Sequence, residues 1–229
     1  MIHPRELHRV SPSIAAVILD LDGVLVDTEI WWDDVRREFA SAHGRPWTDA
    51  DRASVMGANS RQWSSTMTRL LDLDLPAAEI EAAVVRGMVA RWGSGPSPLI
   101  AGADTAVRRL AGEYPLALAS SAHPEVIRAA LDRTGLAAFF GAVVSSDDVA
   151  LGKPAPDVYL EAARRLGVSP AACLVVEDSL NGVLAGRAAG MTVVLVPNAS
   201  VPPAPGAREA ASVVLADIRD LDPRRLLGA

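Results

Sequence analysis

The sequence contains a single cysteine, Cys173, so no disulfide can form within the chain and a reducing compartment is expected. No apolar stretch approaches the roughly 18 residues of a membrane-spanning helix, and residues 1–13 lack the apolar core of a signal peptide. Basic runs are also missing and the net charge is −6, which disfavours a nucleic-acid partner. These absences predict a cytoplasmic protein that binds neither nucleic acid nor membranes.

Hydrophobic residues make up 50% of the 229 residues, which suffices for a large core, but the tryptophans are unevenly placed. All five lie within 31–92, where no strand-like run occurs. Trp31, Val35 and Phe39 recur there every four residues with charged residues between them, as in an amphipathic helix. An all-helical segment between strand-bearing segments predicts an inserted domain. The expected division is a helical cap at 29–97 and a core formed by 1–28 and 98–229.

Outside that segment, short apolar runs alternate with helical patterns. Such alternation predicts an α/β fold, in which helices cover both faces of a doubly wound, Rossmann-like parallel sheet. The predicted strands are 14–19, 115–119, 142–144, 174–176, 193–196 and 212–215. The predicted helices are 31–43, 48–71, 77–92, 103–111, 124–135, 156–166 and one that ends at Gly190.

Two aspartates, Asp20 and Asp22, directly follow the first apolar run. Side chains two residues apart on an extended backbone point the same way, so both carboxylates are expected on one side where the strand ends. They repel each other unless a proton or a cation lies between them. Gly23 then permits a tight turn or a close approach to a ligand. An Asp-Gly turn with a capping aspartate is the structural alternative.

Further polar residues follow other apolar runs, and ligands of open parallel sheets bind beyond the carboxyl ends of the strands. These residues are Ser120, Lys153, Glu177 and Asp178. Carboxylates, a lysine and a hydroxyl together predict a Mg²⁺ and phosphate site, and the lack of paired cysteines or clustered histidines argues against zinc. Taken singly, each has a structural alternative, as a turn serine, a solvated lysine or a cap of the following helix.

Four motifs, in order along the chain, resemble those of haloacid dehalogenase superfamily hydrolases. They are Asp20-Leu21-Asp22-Gly23-Val24, Ala119-Ser120-Ser121, Gly152-Lys153-Pro154-Ala155-Pro156-Asp157 and Val176-Glu177-Asp178-Ser179-Leu180-Asn181-Gly182. The resemblance spans residues 14–198 and points to members with an α-helical cap, in the branch of β-phosphoglucomutase-like proteins and sugar-phosphate phosphatases. It implies a Rossmann-like core, an aspartate nucleophile and obligatory Mg²⁺.

The resemblance also implies a role for each motif residue. Asp20 would attack phosphorus, and Asp22 would protonate the leaving group and later activate water. Mg²⁺ would be held by Asp20, Asp178 and the carbonyl of Asp22, with Glu177 as an outer ligand or an orienting group. The phosphate contacts would come from Ser120, Lys153, Gly23, Ser121 and Ala122.

Substrate recognition is expected from the cap, where Glu29, Trp32 and Arg61 are the candidates. Trp32 lies off the stripe that begins at Trp31, so it is predicted to face the cleft while Trp31 packs inside the cap. Packing within the cap for Trp32, and solvent exposure for Arg61, are the alternatives. The expected ligand is a small phosphorylated metabolite, and a monomer is expected.

Trp32 occupies the position at which the β-phosphoglucomutases carry a histidine, so the resemblance favours a phosphatase over a phosphosugar mutase. The mutase is the first alternative. A non-catalytic phospho-receiver or metabolite sensor is less favoured, because a receiver lacks both the second aspartate and the large helical insert of this sequence.

Overall fold

The computed structural model describes residues 13–226 and contains six parallel strands in one sheet. In chain order they are β1 Ala16–Leu19, β2 Leu116–Ser120, β3 Ala142–Ser145, β4 Cys173–Glu177, β5 Thr192–Leu195 and β6 Val213–Val214. Each predicted strand is therefore confirmed, with bounds that differ by two residues or fewer. Short runs of aliphatic and β-branched residues between turn residues are strong strand signals because they are too short to form a buried helix.

Helices cover both faces of this sheet. The described residues contain α1 Glu29–Ala42, α2 Asp49–Val55, α3 Ser60–Leu71, α4 Ala77–Trp92, α5 Ala103–Ala111, α6 Pro124–Thr134, α7 Asp157–Leu166, α8 Leu180–Ala188 and α9 Ala207–Ala210. The helices that pack on the sheet are α5 to α8, whereas α1 to α4 lie apart from it. α5 and α6 share a hydrophobic core with Val17 and Leu19, whereas α7 and α8 share a second core with Ala16 and Ile18. Successive side chains of a strand point to opposite faces, so β1 contributes to both cores. The predicted doubly wound α/β fold is confirmed.

The strand order is β3-β2-β1-β4-β5-β6, which places β1 between β2 and β4. Leu19 of β1 pairs with Leu118 on one side and with Val176 on the other. The chain proceeds from β1 to β2 and β3 on one side, then crosses back to β4 on the other side of β1 and continues to β5 and β6. A crevice opens beyond the strand ends at such a switch point between β1 and β4. Asp20 and Glu177 therefore meet at this crevice, because each stands where its strand ends.

The helices α1 to α4 lie between β1 and β2 in the chain. The segment 48–71 is predicted as one helical pattern, but it forms two helices. α2 ends at Val55 and α3 begins at Ser60, with Gly57 between them at φ +70°. Asn59 caps α3, because its side chain accepts a hydrogen bond from the backbone N–H of Gln62 and the Gln62 side chain accepts one in return. The left-handed glycine and the capping box together break the helix.

The two connections between these helices and the sheet lie side by side. Val26 forms an antiparallel bridge with Leu99. The N–H of Asp27 donates to the carbonyl of Pro98 at 2.9 Å, and the N–H of Ile100 donates to the carbonyl of Leu25 at 2.9 Å. Adjacent connections are what a cap inserted into a core requires. The cap and core bounds stay a prediction.

Among residues 13–226, no helix has both the length and the apolar character needed to cross a bilayer. The signal-peptide prediction concerns residues 1–13, of which 1–12 lie outside the described residues.

Cys173 begins β4 and is fully buried, as expected of a small hydrophobic side chain entering a strand.

Candidate active site

A cavity of about 220 Å³ lies beyond the ends of β1 and β4 and is closed on the other side by helices of the predicted cap. The sheet side of the cavity carries seven of the predicted site residues, Asp20, Asp22, Ser121, Ala122, Lys153, Glu177 and Asp178. The helical side includes Glu29, Trp32, Arg36, Met56 and Trp63. Residues that are distant in the sequence are thus brought to one small volume, as the positions of the strand ends predicted.

Lys153 bridges two carboxylates at the base of the cavity. Its Nζ donates to Asp20 Oδ1 at 2.6 Å, to Glu177 Oε1 at 2.6 Å and to the carbonyl of Ala119 at 3.2 Å. Burial alone would lower the pKa of Lys153, but Asp20 and Glu177 outweigh it and hold the pKa well above its usual value. Burial raises the pKa of Asp20 to about 8, although the charge of Lys153 opposes that rise. One ammonium group therefore forms ion pairs with two buried carboxylates.

Glu177 is held on both carboxylate oxygens. Oε1 accepts hydrogen bonds from Lys153 and, at 2.7 Å, from the hydroxyl of Tyr159. Oε2 accepts from the N–H of Asp178 and from both the N–H and the hydroxyl of Ser179, at 2.9 to 3.1 Å. A Cβ at Gly182 would lie 1.7 Å from Oε1, so only glycine fits beside this carboxylate. With five donors around it, Glu177 suits the predicted orienting role better than that of a metal ligand.

Asp178 lies beside Asp20 and packs against Gly23. Oxygen atoms of Asp20, Glu177 and Asp178 all lie within 4.8 Å of one another. A Cβ at Gly23, which has φ +86°, would lie 2.0 Å from an Asp178 oxygen. The N–H of Gly23 donates to the carbonyl of Val26 at 2.7 Å, so this residue makes room for Asp178 and its predicted contact with phosphate is not supported.

These carboxylates fit a hard divalent cation. Burial is the main cause that raises the pKa of Asp178 well above its usual value, followed by the charges of Glu177 and Asp20. Three carboxyl groups thus share one lysine, so Asp20 and Asp178 need either a proton or a cation to relieve their repulsion, and a bound cation would take the place of the proton. Oxygen ligands at this spacing are those that Mg²⁺ prefers. Asp20 and Asp178 are the residues whose carboxylates could hold it.

Asp22 differs from Asp20 in its partners. Its Oδ1 accepts hydrogen bonds from the hydroxyl of Thr28 and, at 3.1 Å, from the indole Nε1 of Trp32. Its Oδ2 lies 3.5 Å from the hydroxyl of Ser120. Neutral donors therefore orient Asp22, whereas a lysine pairs with Asp20. The two carboxylates are chemically distinct although they are two residues apart.

The last residue of β2 and the two residues after it differ in their positions, because one is fully buried and two line the cavity. Ser120 is fully buried, and its Oγ accepts a hydrogen bond from the N–H of Ala122 at 3.0 Å while it faces Asp22. Ser121 and Ala122 line the cavity and could contact a ligand. The structure thus joins Ser120 to Asp22, and a direct contact of Ser120 with phosphate stays a prediction.

Two of the three predicted cap residues lie at the cavity and the third does not. Glu29 and Trp32 line it, whereas Trp31 packs edge-on against Trp92 with ring centroids 5.3 Å apart, in agreement with the predicted division of the two tryptophans. Arg61 corrects the prediction. Its guanidinium donates to the carbonyl of Asp147 at 2.5 Å, which ties the start of α3 to the loop after β3 and holds the arginine away from the cavity.

The chain matches the family described as haloacid dehalogenase-like hydrolase over residues 14–190. It belongs to this family. It is 33% identical over 186 residues to the bifunctional riboflavin kinase/FMN phosphatase of Arabidopsis thaliana, covering 80% of this chain but spanning only about half (48%) of that protein. It is 32% identical over 183 residues to the fructose-1-phosphate phosphatase YqaB of Escherichia coli K12, covering 79% of this chain and 95% of that protein. The structure of CbbY from Rhodobacter sphaeroides in complex with phosphate has a TM-score of 0.77 and 26% identity, covering 91% and 96% of the two chains.

Membership of the haloacid dehalogenase-like hydrolases confirms the predicted family and enzyme class. Several residues that line the cavity were not predicted, and one of them is Arg36, which is among the charged residues between the apolar positions of α1. Arg36 is only 6% exposed and lines the cavity together with Glu29 and Trp32. The spacing of these residues, three and then four, puts them on one side of a helix and was the signal available in the sequence.

Proposed function

We propose that this hydrolase is a Mg²⁺-dependent phosphatase that hydrolyses a small phosphomonoester through a phosphorylated Asp20. The observation that carries the proposal is the difference in partners between Asp20 and Asp22. A nucleophile must be ionised and a general acid must carry a proton, so paired catalytic carboxylates need different environments. Burial raises the pKa of Asp20 to about 8, and a divalent cation bound to this carboxylate together with Lys153 would lower that pKa and favour the ionised form. The similarity to a fructose-1-phosphate phosphatase supports a sugar phosphate as the substrate.

Asp20 is the proposed nucleophile. Its Oδ1 is bonded to Lys153 at 2.6 Å, which leaves Oδ2 to attack phosphorus and form the aspartyl-phosphate as the ester oxygen departs. Lys153 is held in turn by Glu177, so its ammonium group is fixed where negative charge develops on the phosphoryl oxygens.

Asp22 is the proposed general acid and base. Thr28 and Trp32 bond to Oδ1, whereas Oδ2 has only the Ser120 hydroxyl at 3.5 Å and would carry the proton that the departing alkoxide requires. The resulting carboxylate then takes a proton from the water that attacks the aspartyl-phosphate. One carboxyl group can perform both steps because the second reverses the proton transfer of the first.

The metal would be held by the carboxylates of Asp20 and Asp178 and by the carbonyl of Asp22. When bound, Mg²⁺ screens the charge of the carboxylate from that of the phosphate. Glu177 and Gly23 position the site around it, the first through Lys153 and the second by admitting Asp178.

Phosphate release from a panel of sugar phosphates, with and without Mg²⁺, tests the proposal in the wild-type, Asp20→Asn and Asp22→Asn proteins. We expect Mg²⁺-dependent release by the wild type and a loss of at least about 10³-fold in kcat/KM in each variant. Arg69→Gln, at an exposed position on α3, is the control and is expected to behave as the wild type. Turnover by Asp20→Asn would contradict the proposal. Accumulation of glucose 6-phosphate from β-glucose 1-phosphate would indicate the mutase instead.

A further inference from the structure

Arg36 is a buried cation in the wall of the active-site cavity. It stands on α1, one turn after Trp32 and two turns after Glu29, and all three side chains line the cavity that contains Asp20. Only 6% of the Arg36 residue is exposed. Arginine is rarely buried without a paired charge, so the surroundings of this side chain require an explanation.

Two indole rings hold the guanidinium in place. Its Cζ lies 5.1 Å from the ring centroid of Trp32 and 5.3 Å from that of Trp63 on α3, within the range of cation–π contacts. Trp32 also donates its Nε1 hydrogen to Asp22 at 3.1 Å. Arg36 is therefore separated from the proposed catalytic carboxylates by one indole ring, on the side of the cavity away from β1.

No carboxylate of the described residues contacts the guanidinium, although Glu29, Asp33 and Asp22 lie near enough to act on its charge. Within residues 13–226, no carboxylate oxygen lies within 4.0 Å of its nitrogen atoms, and the buried Nε has no hydrogen-bond acceptor. Burial lowers the pKa of Arg36 to about 10, with Glu29, Asp33 and Asp22 opposing the change, so the side chain is charged at neutral pH. A buried charge without a partner is costly, and the cavity is the place from which a partner can arrive.

We propose that Arg36 binds a second anionic group of the substrate, a carboxylate or a phosphate, at the end remote from the phosphoryl group that is removed. The planar guanidinium presents its donors as a fork that matches either group, and the two indoles fix its orientation. This inference rests on the proposed function, because it assigns the substrate of the same cavity. It predicts a phosphate ester of an acidic metabolite, or a bisphosphate.

Matched pairs of compounds test the subsite. 6-Phosphogluconate is compared with glucose 6-phosphate, 3-phosphoglycerate with glycerol 3-phosphate, and fructose 1,6-bisphosphate with fructose 6-phosphate. We expect at least one compound with a second anionic group to have a kcat/KM about 10-fold or more above that of the partner that lacks this group. The pair that shows the preference distinguishes a carboxylate from a phosphate. Arg36→Gln is expected to abolish the preference, Arg36→Lys to retain part of it, and Arg69→Gln to leave it intact.

Binding of the same compounds to Asp20→Asn protein, measured by calorimetry with and without Arg36→Gln, separates the subsite from the reaction. Suppose that binding shows an Arg36-dependent preference but the wild-type protein hydrolyses none of the compounds. This result would support the subsite and contradict the proposed phosphatase activity. Turnover without a preference in any pair would overturn the subsite alone. An equal loss for both members of each pair in Arg36→Gln would also overturn it, because Arg36 would then only brace Trp32 and Trp63.

Discussion

Glu177 is the residue on which most of the polar contacts at the base of the site converge. Its carboxylate accepts hydrogen bonds from Lys153, Tyr159, Asp178 and Ser179. Lys153 counteracts the effect of burial, which alone would raise the pKa of Glu177, and the pKa is lowered overall. The group is therefore charged at neutral pH, and its charge supports the lysine that in turn holds Asp20.

Glu177→Gln is expected to destabilise the protein by about 3–5 kcal/mol, because an amide N–H₂ would face donors and Lys153 would lose one of its two charged partners. Tyr159→Phe, which removes a single hydrogen bond to the same carboxylate, is the matched control and should cost about 1.5–3 kcal/mol. Urea unfolding of the three proteins measures both values. A Gln variant that is no less stable than the Phe variant would show that the charge of Glu177 contributes nothing beyond one hydrogen bond.

Cys173 provides a pH-dependent prediction at the same scale. Burial raises the pKa of its thiol to about 11, above the value of roughly 8.5 for an exposed cysteine. Only the thiolate reacts, so alkylation at about pH 8 should be slow in the native protein and become fast when a denaturant exposes the side chain. Mass spectrometry of iodoacetamide-treated samples measures the two rates, and equal rates would mean that Cys173 is accessible in the folded state.

At the scale of elements, the turn after β1 makes room for the side chain that follows β4. Gly23→Ala would place a Cβ 2.0 Å from an Asp178 oxygen, so we expect the apparent Mg²⁺ affinity to fall by about 10-fold or more as Asp178 is displaced. Gly44→Ala is the control, since Gly44 is also left-handed, at φ +67°, but a Cβ there would meet no atom within 4 Å. It should cost about 1–2 kcal/mol in stability and leave the affinity unchanged. If Mg²⁺ titrations gave the same apparent affinity for the Gly23→Ala and Gly44→Ala proteins, Gly23 would not be needed to position Asp178.

The sequence predicted the parts of the site that depend on strand ends. A parallel sheet brings the carboxyl ends of its strands together, so Asp20 and Glu177 could be assigned to one site without knowing any contact between them. Lys153 lies in the loop beyond β3, which ends at Ser145, so its assignment depended on the Gly152-Lys153-Pro154 motif. Its bond to Asp20 joins residues 133 positions apart.

The parts that were missed depend on how one helix packs on another. Arg36 has charged neighbours on α1 and looks like a surface residue until Trp63 of α3 packs beside it. Arg61 could be placed near the cavity by sequence, but the carbonyl of Asp147 holds it elsewhere. Hydrophobic periodicity describes a single helix and carries no information about the partner that covers its polar face.

At the scale of the whole molecule, metal binding should change stability as well as activity. Burial raises the pKa of Asp178, so in the metal-free protein above pH 4 its charge opposes folding, because the unfolded chain ionises it more readily. Mg²⁺ at about 100 times its Kd should add about 2.7 kcal/mol, or roughly 5–10 °C in Tm for a chain of this size. Asp178→Asn is expected to have a higher Tm than the wild type without metal and a much smaller rise with it. If Mg²⁺ raised the Tm of the Asp178→Asn protein as much as that of the wild type, Asp178 would not be a metal ligand.

In the proposed reaction, Asp20 carries the phosphoryl group between substrate and water. Borohydride reduces an acyl phosphate but not a free carboxylate, so it converts a phosphorylated aspartate to homoserine. The wild-type protein, quenched during turnover of a substrate with Mg²⁺ and treated with borohydride, should yield homoserine at position 20 when its peptides are analysed by mass spectrometry. Homoserine should not be found at position 20 when substrate is omitted. Turnover that leaves Asp20 unmodified, or homoserine at another position, would contradict the account.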